Sequence, residues 1–130
     1  MRLLTTIIIV LLLSSCGDNG GKVEKDNLPG RYVFTHWGKD TIDIMDDGTY
    51  KHFTFNDGKR LENTGTWKLR ASQDEILFED FSFLTDGMPP GNWHSRLRVD
   101  GEEIHLMYAK DINAYYKKVG ELDSLNRNDR

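Results

Sequence analysis

Apolar and β-branched residues fall in short runs along this chain, and in most runs they occupy every second position. In residues 65–70, Trp67 and Leu69 share one side while Thr66, Lys68 and Arg70 share the other, the pattern of a strand half in water. Ile42 with Ile44, Leu97 with Val99, and Ile104 with Leu106 and Tyr108 repeat it. These runs predict eight strands, at residues 31–37, 41–45, 49–56, 64–70, 75–81, 95–99, 104–109 and 115–119. Three Asp-Gly dipeptides, Asp47-Gly48, Asp57-Gly58 and Asp100-Gly101, punctuate them and favour tight hairpins, because Gly accepts positive φ. The alternation fails in Tyr50-Lys51-His52-Phe53-Thr54-Phe55, where Tyr50 and Phe53 are an odd number of residues apart. Either a bulge shifts the register there or both faces are covered, and a bulge is the expectation.

The first residues follow a different logic. Arg2, an apolar run at residues 3–13 and the small residues Ser14 and Ser15 form, in that order, the charged start, core and cleavage site of a secretory signal. The run is about half the roughly 20 apolar residues an uncleaved membrane helix needs. Leu13-Ser14-Ser15-Cys16 resembles the lipobox of bacterial lipoproteins. The resemblance implies cleavage before Cys16 and a lipid on its thiol, the nucleophile that takes up a diacylglyceryl group. Each buried methylene adds about 0.8 kcal/mol, so two or three acyl chains make a stable anchor. Expected partners therefore include a membrane, through lipid on Cys16, and the expected address is the bacterial cell envelope.

Residues 17–27 (GDNGGKVEKDN) contain Gly, Asn, Asp and Lys with a lone Val, too little apolar surface to offset ordering, and read as a flexible linker following Cys16. The domain plan is a signal peptide at 1–15, lipidated Cys and linker at 16–27, a β-domain at 28–120 and a disordered tail at 121–130. Once residues 1–15 are removed, 16 basic side chains remain against 21 acidic ones, a net charge near −5. No basic cluster extends beyond Lys117-Lys118, so the electrostatic footprint of a nucleic-acid binder is missing. With the single cysteine lipidated no disulfide forms within the chain, and the hydrophobic core alone must hold the fold.

Eight short strands joined in series predict an all-β fold, an antiparallel meander curled into a small closed or nearly closed barrel that removes its exposed edges. Leu28-Pro29-Gly30-Arg31-Tyr32, Asp47-Gly48-Thr49-Tyr50 and Gly65-Thr66-Trp67 resemble the small lipocalin-like, calycin-type domains of bacterial lipoproteins, with Tyr32 standing for the Trp of the Gly-x-Trp opening. The likeness spans about a third of the chain, and the later motifs, including the Thr-Asp-Tyr turn, have no counterpart. It implies a barrel whose mouth binds small apolar molecules. Tyr32, Phe34, Phe53, Trp67, Phe78 and Phe81 are bulky enough to fill a short eight-stranded barrel, which moves a ligand site toward the rim.

The rim element is the long connection at residues 82–93 (SFLTDGMPPGNW). Unstructured loops of about 12 residues are uncommon in compact domains and are often functional. Phe83, Met88, Pro89, Pro90 and Trp93 make it stiff and apolar, and they are the expected ligand or partner contacts. The alternative is a simple crossover with Trp93 packed in the core.

Catalytic patterns are weak. The chain has no Gly-x-Ser-x-Gly and no phosphate-cradling glycine loop, and His36, His52, His94 and His105 show neither HxH nor HExxH spacing. A metal site would require these histidines to converge in the fold. Asp46-Asp47 lies in a turn, where Asp bonds locally, and Glu79-Asp80 splits between two strand faces. His94, Arg96 and Arg98 share a face that is either an anion patch or a solvated edge. The expectation is thus a non-enzymatic envelope lipoprotein, with no catalytic residue, cofactor or metal, binding a small apolar ligand or a partner protein. The rival is an inhibitor or immunity-type lipoprotein that neutralises a hydrolase.

Overall fold

The computed structural model describes residues 21–37, 39–85 and 87–125, with only the backbone for 124 and 125. Cys16, the signal peptide and the last five residues lie outside the described part. Eight antiparallel strands run in sequence order around a closed barrel: β1 (Gly30–Phe34), β2 (Thr41–Ile44), β3 (Thr49–Asn56), β4 (Lys59–Leu69), β5 (Glu75–Phe81), β6 (Gly91–Asp100), β7 (Glu103–Ala109) and β8 (Ala114–Gly120). Closure is made by β1 against β8, where Tyr32 pairs with Lys118 and Phe34 with Tyr116. The meander inferred from hydropathy is therefore the fold, and no sheet edge is left open.

All three Asp-Gly dipeptides sit at hairpins. In the tightest, between β3 and β4, Asp57 and Gly58 have φ of 50° and 74°, the double positive φ of a type I′ turn. At Asp47-Gly48 the Asp47 carboxylate also accepts bonds from the Thr49 backbone N–H and hydroxyl.

The expected bulge in β3 is not there. Residues 50–53 pair without interruption, Tyr50 with Ile44 and Gly65, Phe53 with Thr41 and Glu62. Both faces of the strand are covered instead: Tyr50, His52 and Thr54 point into the barrel with Ile42 and Ile44. Phe53 lies outside under the Arg60 and Arg31 guanidinium groups, 4.1 and 5.6 Å from its ring centroid. The register shifts that do occur lie between Arg31 and Tyr32, Phe78 and Phe81, and Met107 and Ala109.

Two strands are longer than their apolar runs suggest, β4 starting at Lys59 and β6 at Gly91. Their added residues are mostly polar or glycine, with Leu61 and Trp93 the exceptions, so pattern alone does not mark them, but pairing with β3 and β5 extends them. The long loop consequently covers residues 82–90, and Trp93 belongs to β6.

The barrel ends differ. At the lower end the chain enters through residues 21–29, and within the part expected to be linker Val23 is buried while Lys22 and residues 24–27 stay exposed. Val23 is buried and donates its N–H to the Gln73 carbonyl. Lys25–Asn27 form a 3-10 turn, and Leu28, fully buried, accepts the Tyr32 hydroxyl on its carbonyl. The tail likewise begins with one helical turn, Leu122–Leu125, rather than running unstructured from residue 121.

Between the ends the axis is filled. Tyr32, Ile42, Ile44, Tyr50, Ile76, Phe78 and Leu106 are entirely buried, and Gly65 makes room for the Tyr50 ring. A Cβ on Gly65 would stand 2.2 Å from the Glu79 carbonyl oxygen and 2.7 Å from the Tyr50 hydroxyl. Tyr50 uses that gap to donate its hydroxyl to the same carbonyl at 2.9 Å.

Candidate functional site

At the upper end, β1 leads into the loop that returns at Asp40, β5 ends at Phe81, and β7 and β8 meet at their turn. Phe34 N–H donates to the Asp40 carbonyl, and the Thr35 hydroxyl and N–H both donate to the Tyr115 carbonyl, so both sides of the first loop are fixed. This directs the Asp40 side chain into the barrel mouth. There its Oδ1 lies 2.5 Å from His52 Nε2 and its Oδ2 accepts the Tyr116 hydroxyl at 3.0 Å. His52 Nδ1 donates to the Ser82 carbonyl at 3.0 Å.

The result is a chain of polar contacts set in aromatic surroundings. The His52 imidazole stacks on Phe81, with centroids 4.6 Å apart and planes 13° from parallel. Both His52 and Tyr116 are buried, while the Asp40 side chain keeps about 20 % of its surface exposed. Burial, the Asp40 charge and the bond to Asp40 together hold the Tyr116 hydroxyl well above the ordinary tyrosine range, so it stays a donor. Asn63 fixes the rear of the site, donating to the Asp80 carbonyl and accepting the Ser82 N–H.

Above Asp40 lies a cavity of about 60 Å³ lined by Phe34, Trp37, Thr54, Phe83, Tyr108 and Tyr116, among others. The rings form one connected group: Phe34 is 5.1 Å from Trp37, 5.4 Å from Tyr108 and 4.9 Å from Tyr116, and Phe83 is 5.8 Å from Tyr108. Five of the six large apolar side chains exposed among the described residues belong to elements of this end: Trp37 and Tyr108 line the mouth, Phe55 lies on the outer wall near the β3–β4 turn, Met88 is in the 82–90 loop and Ile112 in the β7–β8 turn. The sixth, Val119, is at the other end.

No family model matches the chain, and neither a curated protein nor a solved structure matches it.

The loop residues expected to make contacts divide. Met88 is the most exposed large apolar side chain among the described residues, at 64 %. Pro89 and Pro90 are exposed beside it. Phe83 is half-buried and joins the mouth. Trp93 belongs to the core, stacked on Phe78 at 5.2 Å, because β6 begins before it. Tyr108, expected to face inward, does so at the mouth and remains 40 % exposed.

The histidines do not converge. His36 is in the first loop, His52 in the barrel, and His94 and His105 on its outer surface, where they meet Glu75 and Glu103. Among the described residues no three His, Cys, Asp or Glu side chains are placed to hold a metal ion. Two members of the basic face of β6 are held by hydrogen bonds to neighbouring side chains. His94 contacts Glu75, and Arg98 donates to His105 Nδ1 and Asn113. Since His105 Nδ1 accepts from a guanidinium, its Nε2 carries the proton given to Glu103.

Asp40 and Tyr116 were not among the expected site residues, although one signal was present. His52 is in phase with Tyr50 and Thr54, and reading β3 without a bulge puts an imidazole inside the barrel, which then requires a polar partner.

Proposed function

We propose that this chain is an envelope lipoprotein of lipocalin-like form, anchored through lipid on Cys16, that binds a partner protein with the aromatic end of its barrel and performs no catalysis. The observation that carries the reading is that five of the six large exposed apolar side chains among the described residues, Trp37, Phe55, Met88, Tyr108 and Ile112, belong to one end of the barrel. Grouped exposed apolar side chains mark interaction sites, whereas scattered ones need no explanation. Aromatic and Met side chains are also the types enriched where proteins meet.

The small cavity favours a partner over an enclosed apolar ligand. Drug-sized ligands occupy roughly 300 to 1,000 Å³, several times the 60 Å³ at the mouth. The non-enzymatic reading rests on His52, whose two ring nitrogens are both engaged, one on a carbonyl and one on a carboxylate, leaving neither to take a proton from a substrate.

The acylated chain, photo-crosslinked in its own envelope, tests the proposal. Trp37→Ser with Met88→Ser and Ile112→Ser should abolish the crosslinked product while Val119→Ser, at the opposite end, leaves it. Equal products from both variants would sink the partner reading. Intact-mass analysis tests the anchor separately: residues 1–15 still attached and no acyl adduct would refute it.

A further inference from the structure

We infer that the cavity above Asp40 is a site for a single alkylammonium group. The inference deepens the partner reading, because the ammonium comes either from a free amine or from a lysine of the partner.

The lining supports a cation of that size. Five rings, from Phe34, Trp37, Phe83, Tyr108 and Tyr116, surround one carboxylate, Asp40. Aromatic faces attract cations through the ring quadrupole, and the attraction strengthens where water is displaced. A carboxylate oxygen offers two acceptor positions, and the known contacts take one on each Asp40 oxygen, so acceptor capacity remains for an N–H from the cavity. Ligand anions are disfavoured by the same rings and carboxylate. A volume of 60 Å³ admits an ammonium with its first methylene groups but not a bulky head.

The charge balance follows from the contacts. The His52 Nε2 contact takes a position on Oδ1 and the Tyr116 hydroxyl one on Oδ2, so an entering ammonium uses a remaining acceptor position of the same carboxylate beside them. The titratable groups facing Asp40 are His52 from β3 and Tyr116 from β8, with Tyr108 of β7 next to Tyr116. Tyr116 stays a donor, so Asp40 is the carboxylate that meets the entering charge.

The test is calorimetric titration of the mature full-length chain with butylammonium and, separately, butanol. Butylammonium should bind saturably and at least about tenfold more tightly than butanol, the ratio a desolvated cation–π and carboxylate contact supplies. Asp40→Asn keeps both side-chain contacts in reach and should weaken butylammonium by about tenfold or more while leaving butanol unchanged. Trp37→Ala, an exposed position, should weaken it severalfold. Equal affinity for butanol, indifference to Asp40→Asn or no saturable binding would each overturn the site. A Gly-Lys-Gly peptide binding more tightly than butylammonium, and losing affinity on acetylation, would assign the ammonium to a partner's lysine. Weaker peptide binding would assign it to a free amine. Butylammonium binding with no crosslinked partner would leave the site standing and remove the partner reading alone.

Discussion

His52 and Asp40 meet inside the barrel through a 2.5 Å contact between Nε2 and Oδ1, while the other ring nitrogen of His52 faces the Ser82 carbonyl at 3.0 Å. An acceptor at each nitrogen calls for two protons on the pair beyond the carboxylate, one on Nδ1 and one held between Nε2 and Oδ1. The Tyr116 hydroxyl completes the arrangement on Oδ2. Among the described residues no buried side-chain nitrogen or oxygen is left without a partner, and these three contacts rigidify the first loop against β3 and β8.

Truncating the acceptor should reveal the cost. Asp40→Ala leaves the buried Nε2 and the Tyr116 hydroxyl without partners and should lower stability by about 1–3 kcal/mol. Asp40→Asn should cost much less, since its amide oxygen accepts from Tyr116 and its NH₂ donates to Nε2 of a neutral His52. Urea unfolding of the two variants checks this. Equal losses would mean that the carboxylate charge, rather than the hydrogen bonds, holds the loop.

Gly65 is where β4, β5 and the Tyr50 ring come closest. A methyl group there meets the Glu79 carbonyl oxygen at 2.2 Å, a backbone atom that cannot swing away, and displaces the Tyr50 hydroxyl from the same carbonyl. Gly65→Ala should therefore destabilise by about 1–3 kcal/mol, the range for overpacked sites. A second variant, Gly65→Ala with Tyr50→Phe, should recover part of the loss if the hydroxyl is the atom displaced. Denaturant midpoints of the three chains decide the matter.

The outer surface sets the acid response. Glu79 accepts from the Thr66 hydroxyl and from Lys68, Glu75 from His94 and Arg70, and Glu103 from Lys117 and His105. Each carboxyl is consequently held below its ordinary value of 4.5. A carboxyl whose pKa is lower in the folded chain contributes stability that is complete above the ordinary value and is lost as pH falls through the folded value. The melting temperature should thus be level above that value in this respect and decline below it. The decline should shrink in high salt, because these groups are exposed and screened. Glu79→Gln should flatten part of the acid limb. An acid limb of unchanged slope in this variant would remove Glu79 from the account. Lys117 shows the opposite sign: its raised pKa adds stability that is lost only as pH rises through the folded value, above 10.5.

How much of this was legible in the chain depends on which force placed each residue. Short runs of apolar and β-branched residues located all eight strands, most of them by alternation, and the Asp-Gly dipeptides located three hairpins, because their backbone preference is local. Phe53 misled the reading of β3. It is apolar yet lies outside, covered by the long side chains of Arg31 and Arg60, and only the fold brings those guanidinium groups over it. The site was harder still. Asp40, His52 and Tyr116 come from separate stretches, and neither spacing nor composition joins a loop aspartate to a tyrosine 76 positions away. Barrel closure between β1 and β8 does so.

Val23 shows the same effect at the lower end and supports a further prediction. A single valine among Gly, Lys, Glu and Asp reads as linker, because its own neighbours offer it nothing to pack against. The barrel offers a place beneath it, and Val23 is buried there with its N–H on the Gln73 carbonyl at 2.9 Å. A chain beginning at Leu28 loses that burial and that bond, and should be less stable than one beginning at Gly21 by about 2 kcal/mol. Val23→Ala in the longer chain should account for about half of the difference, the remainder coming from the lost hydrogen bond and the 3-10 turn. Urea midpoints of the three chains test this. If the segment were only a spacer all three would coincide. The expected difference instead ties the segment before Leu28 to the barrel, at the end opposite the aromatic mouth.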